Sequence, residues 1–103
     1  MLKIKANKIL PEGFVLVIVA YDIKDDKKRS KIAKVLESFG DRVQYSVFEC
    51  ILNKTKLGIL KKSLMVFTLD EGESIVIYTV KSGKYLEKWR RVTKEPFKRA
   101  QIL

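Results

Sequence analysis

At 103 residues the chain is long enough for one domain with a modest core and too short for two. Apolar residues make up 47% of it, which excludes a disordered tail, and 22 Lys and Arg against 12 Asp and Glu give a net charge of +10, which points to an anionic partner, nucleic acid first. The absence of histidine and the single cysteine, Cys50, exclude His-based metal sites, Ser-His and Cys-His nucleophiles and any internal disulfide, and they suit a reducing cytoplasm.

Residues 1–13 read as an N-terminal extension. Lys3, Lys5 and Lys8 ahead of an apolar run imitate a signal peptide, but the run is only seven residues and Pro11-Glu12-Gly13 separates it from the basic part. It is too short to span a membrane. Phe14–Tyr21 is continuously apolar and rich in β-branched residues, as a central strand covered on both faces should be. Asp22 stands at its C-terminal end. Asp25 and Asp26 are helix N-caps by type. Ile32, Val35, Leu36 and Phe39 follow at helical spacing, and Gly40 is expected to stop the helix. The opposite side of that helix carries Lys27, Lys28, Lys31 and Lys34.

Arg42–Leu52 alternates polar and apolar positions, as a strand does. Ser46-Val47 reads either as a kink in one long strand or as the turn of a hairpin, and periodicity does not separate the two. Asn53 or Thr55 caps a second helix with Leu57, Leu60, Leu64 and Phe67 on one face. Asp70–Glu73 is a turn, and Ile75–Val80 another strand. With a hairpin between the helices the order is β-α-β-β-α-β, an α+β, ferredoxin-like core over residues 14–80. With a single strand there, that topology fails. Residues 81–103 form a basic C-terminal segment, eight Lys or Arg against Glu87 and Glu95, in which Tyr85 and Trp89 interleave with Arg90 and Arg91. The last residues, 99–103, are apolar enough for a terminal strand.

Asp22 is the sharpest chemical candidate. A carboxylate at the end of a central strand is a hard oxygen donor suited to Mg²⁺ or Mn²⁺. The competing role, capping a helix or turn, outweighs metal binding on the residues alone. Arg29, on the first helix, has the fork that grips a phosphate bidentately. Lys27, Lys28, Lys31, Arg42, Arg90 and Arg91 complete a set of candidate nucleic-acid contacts, with a solvated surface as the alternative for the lysines. Phe48 reads first as core packing. Phe14–Tyr21 is apolar on both faces while two helices cover only one, so a homodimer is expected.

The order Tyr21-Asp22, then Arg29, then Arg42-Val43-Gln44-Tyr45-Ser46-Val47-Phe48-Glu49 resembles the CRISPR-associated protein Cas2 family, the small subunit of the spacer-acquisition machinery. The resemblance runs from about Phe14 to Val80. It implies the ferredoxin-like fold and a C-terminal strand that pairs with the partner subunit. It implies Asp22 as the metal ligand, which reverses the preference for capping, with Mg²⁺ or Mn²⁺ as cofactor. It implies Asp22, Arg29, Arg42 and Phe48 as the catalytic set of an endonuclease acting on RNA or double-stranded DNA. It also implies a cytoplasmic dimer that bridges integrase subunits. Lys31 stands where the family often has a second arginine, which keeps the charge and loses the fork. The alternative is a non-catalytic ferredoxin-like nucleic-acid-binding protein unrelated to CRISPR.

Overall fold

The computed structural model describes residues 10–81 and 84–92, without the side chains of 84–87. Seven elements follow in order: β1 (Phe14–Asp22), α1 (Asp26–Glu37), β2 (Gly40–Gln44), β3 (Val47–Asn53), α2 (Lys54–Met65), β4 (Ser74–Lys81) and β5 (Lys84–Val92). The strands form one sheet in the order β2-β3-β1-β4-β5, with every neighbouring pair antiparallel. The first four strands and the two helices are the expected ferredoxin-like βαββαβ arrangement.

β1 is central because its apolar run is what a strand flanked and covered needs. It pairs with β3 from Phe14↔Asn53 to Ala20↔Val47 and with β4 from Leu16↔Val80 to Asp22↔Ser74. Alternation along β1 sends Val17, Val19 and Tyr21 toward the helices, where they join Ile32, Ala33 and Leu36 of α1, Leu60 and Leu64 of α2, Phe48, Cys50 and Leu52 of β3, and Ile75 and Ile77 of β4 in one core. Leu16 and Ile18 point the other way and are also buried, 2% and 1% exposed. That second face continues through Val47 and Ile51 on β3 and Val76, Tyr78 and Val80 on β4, and neither helix covers it.

Local signals set the helix ends. Asp25 caps α1, its Oδ2 accepting from Lys28 N at 2.8 Å, and Asn53 caps α2, its Oδ1 accepting from Lys56 N at 2.8 Å. The choice between a kink and a turn resolves to a hairpin, with Tyr45-Ser46 as its turn. Gly40 does not stop α1. The helix ends at Glu37 with Ser38 as its C-cap, and Gly40 opens β2. Its glycine is required by proximity, since a Cβ there would lie 2.3 Å from the Glu49 carbonyl oxygen and 2.6 Å from Cys50 Sγ.

β5 extends the sheet beyond residue 80, across a stretch that sequence periodicity left as an unassigned basic segment. The pairing shows why the pattern was hidden: Thr79↔Glu87 is followed by Val80↔Tyr85, a bulge that breaks the alternation, and charged residues crowd the edge strand. The terminal strand expected at 99–103 and most of the extension at 1–13 lie outside the described residues.

Candidate functional site

Asp22 closes β1 and is exposed. It caps neither helix, because Asp25 and Asn53 do that. Its backbone pairs with Ser74, and strand alternation places it on the helix-free face, opposite Tyr21. Among the described residues no group of three or more His, Cys, Asp or Glu side chains gathers to hold a metal ion. A divalent cation at Asp22 would therefore need oxygen ligands from elsewhere, such as substrate phosphates, since Mg²⁺ is commonly held by one or two carboxylates plus phosphates.

The arginines gather on the helix side. Arg29 sits in the second turn of α1 and reaches back to the chain leaving β1: Nη1 donates to the Ile23 carbonyl at 2.9 Å, and Nη2 pairs with Asp26. The Asp26 carboxylate holds the Arg29 pKa above its ordinary value. Arg42 comes from β2, donates from Nη1 to the Tyr45 carbonyl at 3.0 Å, and lies over the Phe48 ring at 5.3 Å. Arg29 lies 5.9 Å from the centre of the Tyr45 ring. Tyr21 stacks near Phe48, ring centres 6.3 Å apart, and burial raises its phenol pKa despite the neighbouring Arg42 and Arg29 charges. A cleft between α1 and the β2–β3 hairpin is lined by Tyr21, Asp26, Arg29, Ser30, Arg42 and Tyr45.

The four residues expected to act together thus fall into two groups. Arg29, Arg42 and Phe48 share one cluster, whereas Asp22 faces the other side of the sheet. Phe48 is fully buried, so its contact with the site is the guanidinium of Arg42 above it. The basic residues also divide. Lys27, Lys31 and Arg42 are exposed and, with Ser30 and Lys34, line a groove along α1. Lys28 is held internally, its Nζ 2.6 Å from Glu73 Oε1 and 2.6 Å from the Thr68 carbonyl oxygen to which it donates. Arg91 donates to the Leu64 carbonyl at 2.9 Å, near the C-terminal end of α2, where a cation suits the helix dipole. Arg90 is exposed on the helix-free side of β5.

Glu73 is the residue that sequence reasoning missed, because it sits in a stretch legible only as a turn. It is 1% exposed, and accepts from Lys24 N at 2.7 Å, Asp25 N at 3.4 Å and Asp70 N at 2.8 Å besides pairing with Lys28. Burial pushes its carboxyl pKa up, but the Lys28 ammonium and these three N–H donors outweigh it and bring the value to about 2. Glu73 fixes the segment that immediately follows Asp22. Tyr45 was legible only as an apolar position and is 70% exposed.

Residues 15–101 match the family described as CRISPR associated protein Cas2. A CRISPR-associated endoribonuclease Cas2 of Synechocystis is 49% identical over 63 residues, covering 61% of this chain and 68% of the relative. A CRISPR-associated endoribonuclease Cas2 of Thermus thermophilus is 35% identical over 74 residues, 72% of this chain and 79% of the relative. The crystal structure of a hypothetical protein from Thermus thermophilus superimposes with a TM-score of 0.61 at 46% identity, covering 67% of this chain and 84% of that one. A crystal structure of a cas2 protein gives 0.59 at 31% identity, covering 65% and 75%.

Proposed function

This chain belongs to the CRISPR associated protein Cas2 family, and from that premise we propose that it is a dimeric, nucleic-acid-binding protein of CRISPR spacer acquisition that hydrolyses phosphodiesters with Mg²⁺ or Mn²⁺ held at Asp22. Family membership sets aside the CRISPR-unrelated binder. The relatives' names, endoribonuclease and endonuclease, support hydrolysis of RNA or DNA. The observation that carries the reading is Asp22 itself: an exposed carboxylate at the end of the central strand that caps neither helix.

Asp22 lies on the same face as Leu16 and Ile18. A second copy docked on that side of the sheet would bring the Asp22 of both subunits to the interface and add a carboxylate to the site. A bound Mg²⁺ or Mn²⁺ supplies charge neutralisation at the scissile phosphate and a polarised water nucleophile. No histidine is present as general base, so a carboxylate or solvent would have to take the proton from an attacking water. Lys27, Lys31, Lys34 and Arg42 hold the phosphate backbone along α1, a contact that carries no sequence information. A purely architectural role as a bridge between integrase subunits is the second reading, favoured by the lack of any cluster of three or more His, Cys, Asp or Glu side chains among the described residues. The two separate in a cleavage assay on RNA and double-stranded DNA with Mg²⁺ or Mn²⁺ against chelator: metal-dependent cleavage supports the nuclease, and none with any substrate leaves the bridge. No helix among the described residues is long and apolar enough to cross a membrane.

A further inference from the structure

The cleft between α1 and the β2–β3 hairpin carries an exposed aromatic ring, Tyr45, whose neighbour in the fold is the Arg29 guanidinium. Tyr45 is 70% exposed, in a protein whose other aromatic side chains nearby, Tyr21 and Phe48, are buried at 4% and 0%. Exposing so large a ring at a hairpin tip forgoes its burial, and a smaller polar residue would serve the turn as well. Yet the turn is held from two sides. Arg42 Nη1 donates to the Tyr45 carbonyl at 3.0 Å, and Tyr21 N donates to the Ser46 carbonyl at 3.1 Å, which staples the hairpin tip to the end of β1. Arg29 is placed over the ring, 5.9 Å from its centre. The other polar groups lining the same cleft are the Tyr21 phenol, the Ser30 hydroxyl, the Arg42 guanidinium and the Asp26 carboxylate, and Asp26 is already paired with Arg29.

We propose that Tyr45 is a stacking platform for an unpaired nucleobase, and that the cleft takes a single nucleotide of a single-stranded segment, its base against Tyr45 and its phosphate toward Arg42. An exposed aromatic ring beside guanidinium groups is the chemistry that binds single-stranded nucleic acid, because every base has a π-face and every nucleotide a phosphate. A duplex end presents its bases stacked and paired, so this cleft recognises unpaired nucleotides, whereas the lysine groove along α1 recognises backbone of either kind. The inference rests on the nucleic-acid-binding reading above and narrows it to a form of substrate.

The test is fluorescence anisotropy at low salt with three labelled probes: a single-stranded oligonucleotide, the same strand made abasic throughout, and a blunt duplex of equal length. Wild type is compared with Tyr45→Ala and Tyr45→Phe. Tyr45→Ala weakens single-strand binding by about tenfold, Tyr45→Phe stays within about twofold because the ring is kept, and affinities for the abasic strand and the duplex do not change. An unaltered melting temperature shows that the exposed side chain was removed without harm to the fold. Equal loss on the abasic strand or the duplex, or no loss on the intact strand, overturns the stacking role while leaving nucleic-acid binding in place. Failure of wild type to bind any of the three probes overturns both.

Discussion

Glu73 shows how a single side chain can organise a site without belonging to it. Its two oxygens hold the start of the β1–α1 connection and the Asp70 turn together, and Lys28, itself 14% exposed, neutralises the buried carboxylate. Removing the charge leaves Lys28 and several N–H groups facing an amide that cannot accept them all. Glu73→Gln should cost about 3 kcal/mol and lower the melting temperature by ten degrees or more, which thermal denaturation will measure. The pH dependence follows from the same contacts. A carboxyl whose folded pKa is near 2 against an ordinary 4.5 contributes stability above pH 4.5, and loses it as pH falls from there toward 2. The melting temperature of wild type should fall across that window, and that of Glu73→Gln should fall less. Asp22 and Arg42 were singled out in the sequence by motif order. Glu73 was not, because its meaning comes from Lys24, Lys28 and Asp70, which only the folded chain brings to it.

The elements divide along a similar line. β1 and both helices were legible because their apolar spacing is strong and their caps are Asp25 and Asn53. The hairpin was ambiguous because a two-residue turn at Tyr45-Ser46 carries neither glycine nor proline, and β5 was hidden by its bulge. The glycines divide as well. Gly58 lies within α2 with nothing near the position a Cβ would take, so Gly58→Ala should stabilise by about 0.5–1 kcal/mol. Gly40→Ala should do the reverse, because its methyl group meets backbone and the Cys50 sulfur, and neither gives way cheaply. Urea denaturation of the two variants, one midpoint rising and the other falling, checks both assignments. The Cys50 thiol beside Gly40 is pushed up to about 12 by burial and by the charges of Asp41 and Glu49, so it packs rather than reacts.

For the whole molecule, the two-faced apolarity of β1 and the charge of +10 make the predictions. Helices cover one face of β1, Leu16 and Ile18 on the other are already buried within the chain, and a homodimer packed against the strands that carry that second face is the proposal to test. Light scattering should give twice the chain mass at micromolar concentration, and a stable monomer contradicts the paired-face account. Binding to nucleic acid should weaken linearly in log affinity against log salt, measured by titration across salt concentrations, and a flat response contradicts a phosphate interface.

The proposed hydrolysis stands on Asp22. Asp22→Asn keeps the shape of an exposed side chain at the end of β1 and removes the charge that holds a divalent cation. Highly purified wild type and Asp22→Asn are compared side by side for cleavage of RNA and double-stranded DNA, with Mg²⁺, Mn²⁺ or chelator. Wild type should cleave only with metal, and Asp22→Asn should not cleave at all while binding nucleic acid and dimerising as wild type does. Equal metal-dependent cleavage by both proteins contradicts the assignment of the site to Asp22.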